Sequence, residues 1–339
     1  MIYDIEGNKI TLADVPNGHL LTLGSSGMGK TYFACRQMEE KIQQGKHIRV
    51  IDFSGSFTPS ELLRNGFQYI NEVVTVDLSA KGCCVELYLN DFVDDFAESI
   101  LGAFGIQSYY QRTLLGEAIT RLVVAGQAVS FPKLMRQLES MMQEMENERS
   151  RENIWNLLNR FEPLRKVEVL FGPGDMCRYH GRNFATTIME INAFPALQRR
   201  FLALLMTEIF WKETFSQHRT ADIVLLDEFQ NLGINEHHVV ATMIREGRKF
   251  GLSVWLFSQL IGGYTKGMVE TLMQAANMVF FRPTEREVWD IAGWIAPMDK
   301  RPWVDALLKL EVGQAIIKGN YHVAENNRIC SHPILCRIN

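Results

Sequence analysis

Residues 24–31 read Gly-Ser-Ser-Gly-Met-Gly-Lys-Thr, which fits the pattern GxxxxGK[ST] in full. That order of residue types suits the holding of a polyphosphate. Gly24, Gly27 and Gly29 let the backbone curl until its N–H groups face phosphate oxygens, with Ser25, Ser26 and Met28 completing the cradle. The helix that follows adds its positive end. Lys30 brings a compact positive charge to β and γ phosphates, and Thr31 offers a hydroxyl to Mg2+. A glycine-rich turn with a solvated lysine is the plain alternative. It does not explain why an apolar strand precedes the loop and a helix follows it.

A second group lies in Ile-Val-Leu-Leu-Asp-Glu-Phe-Gln-Asn-Leu-Gly, residues 223–233. An acid pair at the end of an apolar strand calls for a cation or a reaction nearby, because burying charge is costly. Asp227 is expected to hold Mg2+ and Glu228 to act as general base on an attacking water. Gln259 ends another apolar strand, where it suits a sensor of the terminal phosphate or its water. The basic run at 244–251, IREGRKFG, holds Arg245, Arg248 and Lys249, and Arg282 follows the apolar run VFF. One of these arginines could enter a neighbouring copy's site. Solvated arginines at a helix end explain the same letters.

These groups need elements to position them. An apolar strand at 19–23 leads into the loop, a helix is expected over 32–44, and further strands at 47–53 and 73–78. Strand, loop, helix, strand is the order of an α/β layer with a mostly parallel sheet, whose ligands bind at the strands' carboxyl ends. A short strand pair is expected within 1–18. The stretch from about 91 to 215 is rich in Glu, Gln, Leu, Met and Arg and reads as helical, including 131–164 as one helical run. Strands resume within 167–192, with ATTIMEI the clearest, and at 222–226, 252–259 and 277–282; LKLEVGQAIIKGN closes as a hairpin-like pair. The expected division is 1–90 as the first part of the core, 91–165 as a helical insertion and 166–339 as the second part. The acidic, Met-rich run ESMMQEMENERS suits a solvated helix face above a packed one, or a partner surface.

Composition narrows the partners. With 35 basic and 39 acidic residues the formal charge is −4, so a nucleic-acid grip over the whole surface is excluded and any such contact is local. No apolar run approaches the roughly 20 residues that span a bilayer. The first residues lack the basic start and apolar block of a signal peptide, so a cytoplasmic location is expected, peripheral to a membrane if a partner holds it there. The six cysteines form no CxxC. Cys330, His332, His322 and Cys336 match no standard zinc spacing, and ordinary thiols and imidazoles are expected there.

The chain resembles the HerA/FtsK superfamily of P-loop ATPases, and within it HerA-type motors and the conjugation ATPases of type IV secretion. The likeness rests on GSSGMGKT, IRVIDFSGSF with its strand-end Asp52, IVLLDEFQNLG, IREGRKFGLSVWLFSQL, NMVFFRPTE and EVGQAIIKG. It implies a RecA-like core with a large helical insertion, ATP and Mg2+ as cofactors, and a homo-oligomer, typically a hexameric ring that threads DNA. By motif, Lys30 and Thr31 are Walker A residues, Asp227 and Glu228 Walker B, Gln259 the strand-end sensor, and Arg248 or Arg245 the interface arginine. Relatives carry an N-terminal barrel, a large domain or membrane helices before the P-loop; here Gly24 is reached almost at once. The expectation is either a minimal motor or one that recruits a barrel-domain, membrane-anchor or nuclease partner as a separate protein. A ring-shaped DNA translocase is the leading expectation. A secretion or conjugation ATPase acting on proteins and a nucleotide-switched scaffold of a defence complex are the alternatives.

Overall fold

The computed structural model describes residues 1–173, 184–216, 220–324 and 328–339. In chain order the elements are β1 (Ile2–Asp4), β2 (Lys9–Leu12), β3 (Leu20–Leu23), α1 (Lys30–Gln43), β4 (Ile48–Asp52), α2 (Pro59–Arg64), β5 (Val73–Asp77), β6 (Cys84–Glu86), α3 (Phe92–Ala103), α4 (Tyr109–Val124), α5 (Phe131–Glu144), α6 (Glu148–Phe161), β7 (Leu170–Gly172), β8 (Thr186–Glu190), α7 (Ala196–Glu213), β9 (Ile223–Leu226), α8 (Val239–Glu246), β10 (Ser253–Ser258), α9 (Lys266–Leu272), β11 (Asn277–Phe280), α10 (Val288–Ile295), α11 (Arg301–Lys309), β12 (Gln314–Lys318), β13 (Tyr321–Val323) and β14 (Ile334–Ile338). Two compact units result. One holds Met1–Val50, Ser56–Asn71 and Asp222–Asn339, the other Ile51–Gly55 and Glu72–Ala221.

In the first unit the strand order is β13-β2-β1-β14-β12-β11-β3-β10-β9-β4. Its centre is parallel: β10 pairs with both β9 and β3, and β3 with β11. Every residue of β3, β9 and β11 is buried. Runs such as Leu-Leu-Thr-Leu and Ile-Val-Leu-Leu lack polar alternation because these strands are covered on both faces. The flank is antiparallel and comes from both ends of the chain, with Ile2 opposite Ile338. β1 and β2 form the expected pair, and the Asp4 carboxylate closes their turn by accepting the Glu6 and Asn8 N–H groups at 2.9 and 2.7 Å.

The expected hairpin-like pair at LKLEVGQAIIKGN does not form, because Leu308 and Lys309 end α11 and only β12 in that run is a strand. β12 pairs with β11 and β14, whereas β13 pairs with β2. After β12 the chain turns out: the Asn320 N–H donates to the Asn277 side chain at 2.8 Å, and its carbonyl accepts the Ala13 N–H at 2.8 Å. Helices α2 and α11 were also not anticipated.

The second unit is mainly helical, α3 to α7, with the parallel pairs β5–β8 and β6–β7. The run 131–164 is broken, because Asn147 accepts N–H groups from Arg149 and Ser150 and starts a new helix. Phe104, Phe131, Phe161 and Phe201 form the heart of its core, with ring centroids 4.4–5.7 Å apart. In the Met-rich run, Met141 is buried while Gln143 and Glu144 face solvent.

Among the described residues no helix is long and apolar enough to cross a membrane. Nor does any group of three or more His, Cys, Asp or Glu among them stand ready for a metal ion. His332 instead meets the Tyr321 hydroxyl at 3.1 Å. Cys84 is disulfide-bonded, whereas Cys35, Cys83, Cys330 and Cys336 are free.

Candidate nucleotide site

β3 delivers the glycine-rich loop to the carboxyl edge of the parallel strands. Its last residue, Leu23, is level with Ser258 of β10 and Phe280 of β11. Backbone bonds tie the loop to both neighbours: Gly24 N–H donates to the Ser258 carbonyl at 3.2 Å and Ser25 N–H to the Arg282 carbonyl at 2.9 Å. The approach is so close that a Cβ on Gly24, at φ +150°, would lie 2.5 Å from the Phe281 Cβ. Only glycine fits there.

The loop also has a floor. Gly313 donates its N–H to the Met28 carbonyl at 3.1 Å. Below, Phe33 of α1 packs against Phe257 and Phe281, with centroids 6.5 and 6.2 Å away. α1 opens at Lys30 behind Gly29, and its first turn, Lys-Thr-Tyr-Phe, holds no acid. The positive end of the helix therefore faces the loop without an internal counter-charge, as an anion site requires.

Lys30 Nζ donates to the Gly24 and Ser25 carbonyls at 2.6 and 3.0 Å. Burial lowers its pKa from the ordinary lysine value, while the charges of Glu228 and Asp227 act the other way. The three side chains are thus electrostatic neighbours. Asp227 follows β9 and is 8% exposed. Carboxylate and hydroxyl oxygens, as on Asp227 and Thr31, are the donors a hard cation such as Mg2+ takes.

Glu228 sits at φ 49° and ψ 42°, a left-handed conformation that costs a non-glycine residue about 1–2 kcal/mol. Two amides hold its carboxylate. Gln259 Nε2 donates to Oε1 at 2.6 Å, and Gln230 Nε2 donates to Oε2. Gln230 in turn accepts the Ser258 hydroxyl at 2.7 Å. The segment after Gln259 is clasped as well. Buried Glu287 accepts the Ile261 and Gly262 N–H groups at 2.6 and 2.9 Å, and Tyr264 stacks on Phe229 at 5.5 Å.

The structure therefore brings Lys30, Asp227, Glu228 and Gln259 together, with Thr31 on the first turn of α1. It does not bring Arg245 or Arg248 to them. Arg245 bonds the Glu236 carbonyl at 3.2 Å, and Arg248 lies near enough to His19 to lower its pKa, at the end of β3 remote from the loop. Exposed Arg282 is the arginine on the loop's own edge, through its carbonyl bond to Ser25. Gln230, Glu287 and Gly313 were not singled out from sequence. The signals were slight: an amide two places after the acid pair, a second acid in the run after Arg282, and a glycine before β12.

Comparisons with known proteins bear on the family and the fold. The family described as Helicase HerA, central domain, matches residues 9–209. VirB4 of Thermoanaerobacter pseudethanolicus superposes with a TM-score of 0.66 at 13% identity, covering 99% of this chain and 95% of that one. The bacterial conjugative coupling protein TrwB, lacking its first 70 residues, gives 0.67 at 14% identity, covering 94% and 86%. TrwB in complex with ADP and Mg2+ gives 0.61 at 13%, covering 94% and 85%. No curated protein matches the sequence.

Proposed function

Because the chain belongs to the family of the HerA helicase central domain and is a P-loop ATPase, we propose that it is a motor that couples ATP hydrolysis to movement of DNA through a ring of its own copies. The observation that carries the reading is the convergence of Lys30, Asp227, Glu228 and Gln259 at the ends of three neighbouring parallel strands. The solved complex of TrwB with ADP and Mg2+ supports the choice of nucleotide and cation.

On this reading Lys30 leaves the two loop carbonyls and meets the β and γ phosphates. Thr31 and Asp227 hold Mg2+, which neutralises phosphate charge when bound. Glu228 takes a proton from water as the water oxygen bonds to the γ-phosphorus. The bond to the β,γ-bridging oxygen breaks, and ADP leaves with that electron pair. Arg248 or Arg245 stabilises the transferring group from a neighbouring copy, which their distance from the chain's own loop favours. Gln259 reports the state of the γ-phosphate to the segment that follows it.

A protein cargo is the second reading, favoured by the net charge of −4. The test is ATPase rate against protein concentration, with and without double- and single-stranded DNA, at low and high salt. A rate that rises with concentration and is stimulated by DNA in a salt-sensitive way supports the DNA motor. Concentration dependence with indifference to DNA supports the protein cargo.

A further inference from the structure

We propose that Gln230 is a positioning residue which, together with Gln259, latches the Glu228 carboxylate at rest, and that the latch opens as one piece when Gln259 turns to the nucleotide. The inference rests on the reading of Glu228 as the base. A base must offer water a basic, well-aimed lone pair. Here each carboxylate oxygen accepts one amide N–H, from Gln259 and from Gln230, which leaves it a second lone pair but lowers its basicity and fixes its aim.

The two amides are not independent. Ser258, fully buried at the end of β10, donates its hydroxyl to Gln230 Oε1 at 2.7 Å. Ser258 Oγ itself accepts the Leu260 N–H at 3.2 Å and so holds the turn that carries Gln259. A closed ring results: Ser258 to Gln230, Gln230 to Glu228, Glu228 to Gln259, and back through the peptide bond. In the latch, Gln259 turns away together with the 258–260 turn rather than by rotation of its side chain alone. That movement draws the Ser258 hydroxyl from Gln230, and both amides release the carboxylate together. The segment Gln259–Tyr264, held by Glu287 and stacked on Phe229, moves with the same event. The ring is a two-state element that ties the freeing of the base to displacement of a loop.

Gln230→Met keeps the length of the side chain and deletes both the donor and the acceptor. The expected result is an idle ATPase kcat raised about three- to tenfold, the scale of one lost hydrogen bond, with KM changed less than about twofold. A merely structural role would leave kcat unchanged or lower it, and either result overturns the latch. Ser258→Ala frees Gln230 by a second route and replaces the first variant if that one shows no cooperative melting; the same rise is expected, and its absence counts equally against the latch. Glu228→Gln is measured beside them. If it is inactive while Gln230→Met turns over like wild type, the latch is wrong and the base assignment stands. If Glu228→Gln hydrolyses ATP like wild type, both fall.

Discussion

The two compact units bury different things. In the first, polar side chains and glycines crowd the ends of parallel strands: Lys30, Asp227, Glu228, Gln230, Ser258 and Gln259 all meet within one network. In the second, the centre is a cluster of phenylalanines under five helices. Their buried ionisable groups differ in the same sense. Burial holds His19 of the first unit down at about 4, so it stays neutral where it accepts the Val254 N–H at 2.9 Å. Burial pushes Glu208 of the second unit up to about 7, against the pull of Lys212. One unit gathers polar side chains at strand ends and the other is arranged around packing, so damage to each should register in different observables.

The largest effect is expected from Lys30→Ala. It should lower ATP turnover at least about a hundredfold and leave the melting temperature nearly unchanged, because it removes charge from the phosphate site and no core contact. Turnover assays and thermal melts on the same preparation check this. Phe161→Ala should do the reverse. It should cost about 3–5 kcal/mol of stability in urea titration, while binding of a labelled ATP analogue survives where the variant is folded. Equal loss of nucleotide binding at low temperature would erase the contrast between the units.

Glu208→Gln sharpens the contrast further. The folded-state pKa is raised from 4.5 to about 7. Its stabilising share is therefore present below about 4.5 and is lost as pH rises to about 7. The variant should gain on the order of 3 kcal/mol relative to wild type at pH 8 and lose that part of the pH dependence. His19, lowered from 6.5 to about 4, acts with the opposite slope and withdraws stability as pH falls through that window. Melting temperature from pH 4 to 8 should thus fall more steeply towards acid in the variant than in wild type. The smallest effect is expected from Asn147→Ala. Loss of the cap between α5 and α6 should cost about 1 kcal/mol with ATPase unchanged.

The strands and the loop were legible because their signals are local. Leu-Leu-Thr-Leu, GSSGMGKT and Ile-Val-Leu-Leu-Asp-Glu each announce an element and its edge within a few letters. The meetings of side chains were not. Ser258 reaches Gln230 across 28 positions, and Glu287 holds Ile261 across 26. No periodicity encodes which of several polar residues at strand ends face one another. The false hairpin has the same cause. β12 was visible as a strand, but its pairing with β11 and β14, and that of β13 with β2, is not written in the run itself. The break at Asn147 was missed because Glu, Arg and Asn around it continue a helical composition.

The position of β3 between β10 and β11 also bears on how the protein is made. His19 and Val254, which meet beside these strands, are 235 positions apart. The strand that carries the loop precedes the helical unit in the chain, whereas both its neighbours follow that unit and are synthesised later. Until then Leu20–Leu23 has two open edges and an apolar face on either side. Assembly of the parallel centre is therefore a late, long-range closure, slow by topology and open to aggregation. A nascent chain arrested before residue 253 should hold a folded helical unit and no nucleotide pocket.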